Sequence, residues 1–221
     1  VVTAAGEVVV TGAGYRPEGT LEHDGIPLEH GSAAWRQTAL VVGGGSLTND
    51  AVLTQEADGG FVVQGDPTEA AFLVAEAKLG TRALREGRFA RVGEIPFTSQ
   101  RRLMSSLATD GERGGRIAVV TKGAPDVLLE RCTHVQVGDD VEPLDDGWRT
   151  GILADVERLS GEAFRTLAVA YRPLDVTDPP EAVESLEEGL VYTGMVGIID
   201  PPRDEAAAAI REARRAGIRV V

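Results

Sequence analysis

Four side chains in this chain have a type and a setting that could do chemistry: Lys122, Glu69, Phe97 and Arg165. Lys122 ends an apolar run over 117–121 and is followed by Gly123-Ala-Pro-Asp126. The run reads as a buried strand and Pro125 as the first residue of a short helix, where a missing N–H costs nothing. Asp126 suits the positive start of that helix. Gly123, without a Cβ, lets a ligand or another backbone come close. Lys122 would then stand as a cation where a strand gives way to a helix, a common place for a phosphorylated ligand. The plain alternative is a solvated lysine at a strand end. The residue type is unusual here: of 22 basic residues only Lys78 and Lys122 are lysines. A compact ammonium does different work from a planar guanidinium.

The other three also carry two readings each. Glu69 lies in Gly65-Asp-Pro-Thr-Glu69. Asp66 is an N-cap, Pro67 a first helical residue, and Glu69 falls where a capping-box carboxylate falls. Its alternative is to accept a hydrogen bond from a ligand amine. Phe97 is either core or a flat ring offered to a base, a contact worth about 1–3 kcal/mol. Arg165, at the start of an apolar strand, pairs with a carboxylate or meets a phosphate.

The elements that would position these groups follow from periodicity and punctuation. Strands are expected over 7–11, 61–64, 91–96, 103–107, 116–121, 164–171 and 190–199. A small hairpin is expected over 133–137 and 141–144. Helical spacing marks 35–42, 66–79, 145–160 and 204–216, and Gly43-Gly44-Gly45 is expected to stop the first of these. Residues 12–28 read as a long loop, 173–188 as an acidic connector, and a last strand starts at Ile218. The sum is an α/β (α+β) chain: a mainly antiparallel sheet of six or seven strands flanked by helices, followed by a strand–helix–strand unit.

Composition narrows the partners. The formal charge is −13 over 221 residues, which disfavours nucleic acid and anionic membrane. The single cysteine, Cys132, excludes an internal disulfide and a cysteine-based metal cluster. No apolar run reaches the ~18 residues of a membrane helix. The chain begins at Val1 without a methionine and stops at Val221 within an apparent strand, so a piece of a longer protein is expected.

Five motifs stand in order: Gly65-Asp-Pro-Thr-Glu69, Pro96-Phe-Thr-Ser-Gln-Arg-Arg-Leu-Met-Ser105, Lys122-Gly-Ala-Pro125, Arg165-Thr-Leu-Ala168 and Asp200-Pro-Pro-Arg203. Together they resemble the nucleotide-binding domain of P-type cation-transporting ATPases, in the type II branch, with the spelling of bacterial calcium-ATPase-like members. The resemblance covers nearly the whole chain. It implies that Phe97 stacks on adenine, that Glu69 hydrogen-bonds the adenine amino group or its surroundings, and that Lys122 lines the deep side of the pocket with Gly123 allowing close approach. It implies that Arg165 points toward the phosphates, that Leu167 packs near the base, and that Asp200 and Arg203 lie on the hinge and phosphate side. Many relatives carry Arg or Ser two residues beyond the Phe. Here that residue is Ser99, and the resemblance leaves the phosphate contact to Ser99, Arg101 or Arg102.

The family's Asp-Lys-Thr-Gly-Thr phosphorylation motif and its Thr-Gly-Asp and Gly-Asp-Gly motifs do not occur in this sequence. The resemblance therefore implies a domain over 1–195 and a hinge with a fragment of the phosphorylation domain over 196–221. Such a piece binds ATP without hydrolysing it and has no catalytic or metal-ligating residue of its own. Magnesium is held mainly outside it, and its partners are the phosphorylation and membrane domains of the same parent chain. It would sit on the cytoplasmic side of an integral membrane protein that transports a cation, with calcium the expected ion. The reading from another class is a non-catalytic interaction module that has lost nucleotide binding. A stand-alone kinase lacks support, because no glycine-rich phosphate loop of the usual spacing appears.

Overall fold

The computed structural model describes residues 1–56, 60–199 and 204–219, with 204–208 as backbone only. The first part of the chain forms β1 (Val2–Thr3), β2 (Gly6–Val10), β3 (Leu21–His23) and β4 (Ile26–Pro27). It continues through α1 (Ala33–Leu47), β5 (Val52–Gln55), β6 (Phe61–Gln64), α2 (Pro67–Leu79), α3 (Arg82–Arg88) and β7 (Phe89–Ile95). Then come β8 (Leu103–Asp110), β9 (Arg116–Gly123), α4 (Pro125–Arg131), β10 (Cys132–Val137) and β11 (Asp140–Pro143). Finally, α5 (Asp146–Gly161), β12 (Arg165–Pro173), β13 (Leu190–Ile198) and α6 (Asp204–Arg215) follow.

The sheet is larger than expected, with eleven strands among the described residues. Its main path runs β4-β3-β2-β1-β13-β12-β9-β8-β7, and β10 joins β13 and carries β11. Every pairing is antiparallel except β10 with β13. The extra strands are short. Residues 12–28, expected as a loop, contain β3 and β4, and β5 pairs with β6 in a separate hairpin. In the expected last strand, residues 218 and 219 are not extended strand, and 220–221 lie outside the described residues.

β8 and β9 are buried along almost their whole length, because both faces of the sheet are covered. On one face α1 and α2 close a core of Val41, Leu47, Phe72, Val120, Val169 and Val196. On the other, α4 and α5 pack over Leu103, Leu128, Ile152, Leu159 and Tyr192. The connector after β12 covers the rest of that face, setting Leu174, Ala182 and Leu186 against Leu107, Ile117 and Val119.

The glycine triplet does not stop α1; the helix runs through it to Leu47. The reason is packing. A Cβ on Gly45 would lie 2.1 Å from the Phe72 ring, and one on Gly44 would lie 2.9 Å from Val169 Cγ1. Glycine costs ~1 kcal/mol in a helix interior, and here it lets α1 lie close against both α2 and the sheet. At its other end Ser32 caps α1, its Oγ accepting from Trp35 N at 3.1 Å.

Candidate functional site

α2 begins as expected. Asp66 Oδ1 accepts from Thr68 N at 2.6 Å, with Pro67 in the first helical position. Hydrogen bonding from Thr68 holds the Asp66 carboxyl below the usual carboxylate range. Glu69, however, is not a capping-box carboxylate. Its Oε1 accepts from Lys122 Nζ at 2.7 Å and its Oε2 from Asp50 N at 3.2 Å. The helix start is kept by Asp66, and the Glu69 side chain turns to the sheet.

Lys122 is not a solvated strand end either. Its side chain is 6% exposed, and its ammonium lies 5.6 Å from the centroid of the Phe72 ring. It faces Met104 on one neighbouring strand and Val169 on the other, within the sheet face that α2 covers. Burial lowers its pKa, and the Glu69 partner works against that. A buried ammonium held by one carboxylate and one aromatic face is a costly arrangement, and it makes Lys122 a candidate site residue.

Residues 49–51 fix Glu69 from the other side. Asn49 Nδ2 donates to Glu69 O at 2.7 Å, and Asn49 Oδ1 accepts from Ala51 N at 2.7 Å. Arg91 Nη1 donates to Asn49 O and to Asp50 Oδ1 at 3.1 and 2.9 Å. Arg165, exposed at the start of β12, donates from Nη1 to Thr68 Oγ1 at 2.7 Å. It therefore sits one residue from Glu69 at the start of α2. Leu167 is half-buried on the same face, beside the Phe72 and Val169 core.

Phe97 is 59% exposed in the loop between β7 and β8, so it is not core. The register sets that loop at the Lys122 end of the sheet: Ile95 pairs with Ser105, Ser105 with Thr121, and Met104 with Lys122. Ser99 is exposed in the same loop. Arg101 is turned away from the loop surface. Its Nη2 donates to Glu187 Oε1 at 2.5 Å on the opposite face of the sheet. Arg102 is exposed and paired with Asp126 at 2.8 Å. Gly123 makes room for a backbone: a Cβ there would lie 2.2 Å from Arg102 O. Asp200 and Arg203 lie outside the described residues.

Glu69, Lys122, Leu167 and Arg165 thus gather around the start of α2, with Phe97 and Ser99 in a loop at the same sheet end. Arg101 does not join them. Phe72, Thr68 and Arg91 belong to this group and were not foreseen. Phe72 lies in the apolar stretch 70–75 of α2, and no local pattern marks its ring as a cation's neighbour. Two hollows lie elsewhere: one of about 270 Å³ beside Leu84, Arg88 and Glu112, and one of about 120 Å³ between Trp148, Asp155 and Tyr192.

Residues 38–205 match the family model described as the P-type ATPase, cytoplasmic domain N. The chain belongs to that family. It is 35% identical over 213 residues to a calcium-transporting ATPase of Bacillus subtilis, covering 96% of this chain and 23% of that protein. It is 38% identical over 176 residues to calcium-transporting ATPase 1 of Bacillus cereus, covering 79% and 19%. It is 34% identical over 209 residues to a calcium-transporting ATPase of Listeria monocytogenes, covering 94% and 22%. This N domain therefore resembles those of bacterial calcium ATPases and spans about a fifth to a quarter of each relative's length. Among its described residues no helix is long and apolar enough to cross a membrane.

Proposed function

We propose that this N domain binds adenine nucleotide at the start of α2, with Phe97 stacking on the base and Glu69 accepting from its amino group. Lys122 closes the deep side and holds Glu69 in place. Arg165, with Ser99 or Arg102, faces the phosphates, and Leu167 packs near the base. The observation that carries this reading is the buried Lys122–Glu69 pair at 2.7 Å, at the same sheet end as the loop that leaves Phe97 exposed. An exposed ring supplies stacking, and a pre-set carboxylate supplies direction. Phosphoryl transfer depends mostly on such positioning and on charge neutralisation.

In the parent protein the same domain would present ATP to an acceptor aspartate in a neighbouring phosphorylation domain, and the energy would drive cation transport, with calcium the ion suggested by the relatives' names. Residues 1–195 form the nucleotide-binding unit in this reading, and 196–221 lead into the hinge and phosphorylation domain. Among the described residues no three carboxylate, imidazole or thiol groups cluster to hold a metal. In the parent protein magnesium would be held mainly outside this domain, beside the nucleotide phosphates.

Nucleotide titration followed by amide chemical shifts tests the reading. ADP and ATP are expected to bind about equally, with shifts at residues 69, 97 and 122, and Phe97→Ala is expected to weaken both about 5- to 150-fold. A hundredfold preference for ATP, or an unchanged affinity in Phe97→Ala, overturns the assignment. The second reading, left open by Thr98 and Ser99 beside Phe97, is an interaction module without nucleotide binding. Absence of any shift near Phe97 and Lys122 would select it.

A further inference from the structure

Among the buried ion pairs that the proposed nucleotide contacts leave unused, one touches the Phe97 loop. Arg101 and Glu187 meet on the sheet face opposite Lys122, Arg101 with its side chain 14% exposed and Glu187 with its side chain 2% exposed. Arg101 bridges the two ends of the Phe97 loop. Nη1 donates to Pro96 O at 2.9 Å, and Nη2 donates to Leu103 O at 3.4 Å. The loop has a second internal tie: Arg102 N donates to Thr98 O at 2.8 Å, with Arg102 in the left-handed region at φ 55°.

Glu187 ends a short 3-10 turn, Glu184–Glu187, in the connector before β13. Its Oε1 accepts from Arg101 and also from Ser105 Oγ at 2.5 Å, and Ser105 Oγ lies 2.8 Å from Thr121 Oγ1. The carboxylate is thus fastened to β8 and β9 one residue from Met104 and Lys122. A second carboxylate, Glu184, lies 3.6 Å from Arg101 Nε.

A buried ion pair is a poor way to stabilise a fold, because an apolar pair of similar volume often does as well. It is a good way to hold a guanidinium in one orientation. Here the held guanidinium fixes the carbonyls that open and close the loop. We propose that Glu187 is a positioning residue for nucleotide binding: through Arg101 it staples the 96–102 loop so that Phe97 is presented to the base. The proposal rests on the nucleotide reading above. An unstapled loop must order itself when the base arrives. Immobilising one such group weakens binding about two- to tenfold.

The test uses the 221-residue chain with Arg101→Met/Glu187→Gln, which removes the staple without leaving a buried charge unpaired, together with Arg101→Lys. Two measurements are made well below the melting temperature: hydrogen exchange of the Arg102 amide without nucleotide, and ADP affinity by titration. The staple predicts faster Arg102 exchange and about two- to tenfold weaker ADP binding in both variants, since a lysine lacks the fork. It also predicts no further weakening when the staple variant is combined with Phe97→Ala. Unchanged exchange overturns the staple whatever the nucleotide does. Faster exchange with unchanged ADP affinity, or an equal loss with and without Phe97, overturns the positioning role and leaves the nucleotide reading intact. A wild-type chain that binds no ADP overturns that reading and the role with it, while the exchange measurement still reports on the staple separately.

Discussion

Lys122 and Glu69 offer a direct measurement of what the site costs the fold. The ammonium has one carboxylate at 2.7 Å and an aromatic face at 5.6 Å, and its side chain is 6% exposed. Removing one partner of a buried pair typically costs ~3–5 kcal/mol, because the other charge is left behind. For Glu69→Leu the lower end applies. Asp50 remains as an attractive charge, and a flexible stem can carry the ammonium part of the way to water. The expected loss is therefore ~3 kcal/mol at pH 7. For Lys122→Met it is smaller, ~2 kcal/mol, because Glu69 is 18% exposed and keeps the Asp50 amide. Glu69→Leu/Lys122→Met removes both charges and should fall within ~1–2 kcal/mol of wild type.

pH separates this account from a simple packing defect. Burial already lowers the Lys122 pKa below 10.5, and Glu69 is the main influence raising it. In Glu69→Leu the folded pKa drops further while the unfolded value stays. Between the two values the unfolded chain binds more protons, so the stability of this variant rises with pH, by up to ~1.4 kcal/mol per unit. Urea unfolding at pH 7 and pH 9 reads both effects. Lys122→Met and the double variant should lack the gain. If the two single losses sum to the double loss within ~0.5 kcal/mol, and Glu69→Leu does not gain stability at pH 9, the buried pair is not what holds this site.

Two further outcomes follow from the core. Gly45→Ala places a Cβ 2.1 Å from the Phe72 ring, an overpacking cost of up to ~3 kcal/mol that alanine's ~1 kcal/mol helix advantage offsets in part, for a net loss of ~2 kcal/mol; thermal unfolding measures it, and a stabilised variant would contradict the close α1–α2 packing. Cys132 is 1% exposed and its Sγ donates to Leu128 O at 3.2 Å, and burial pushes its thiol up from 9.0 to about 12. Since the folded value lies above the unfolded one, its contribution to stability is fully present below pH 9 and is lost as pH rises toward 12. Native protein at pH 8 should therefore react far more slowly with a thiol reagent than urea-unfolded protein, and equal rates would contradict the buried thiol.

The motifs were legible because each is local. Asp66-Pro67 announces a helix start through two neighbouring residues, and the apolar run ending in Lys122 announces a strand. What stayed hidden depends on partners far along the chain. Lys122 lies fifty-three positions beyond Glu69, so the local sequence offered Glu69 its own helix to cap or a ligand amine to meet, but not Lys122. The same blindness misread the glycine triplet. Three glycines in a row break a helix unless something packs where their side chains would be, and that something, Phe72, lies beyond the next two strands in sequence. The short strands β3, β4 and β5 lacked the length for alternation to show.

One physical consideration joins the misreadings to the function. A chain with 20 arginines and two lysines could have placed an arginine or an apolar residue at position 122. It carries instead a single buried ammonium, whose pKa burial lowers, facing a carboxylate that could have capped a helix more cheaply. Stability alone does not call for the pair, because two apolar side chains of similar volume beside Val120, Val169 and Phe72 often serve a core as well. A compact cation that keeps one carboxylate aimed, leaving its second oxygen on the more exposed Asp50 amide, is what a site recognising an amino group would need. The same reasoning applies to Arg101 and Glu187 on the opposite face: both pairs spend stability on direction, and both act on the end of the sheet where Phe97 is left exposed.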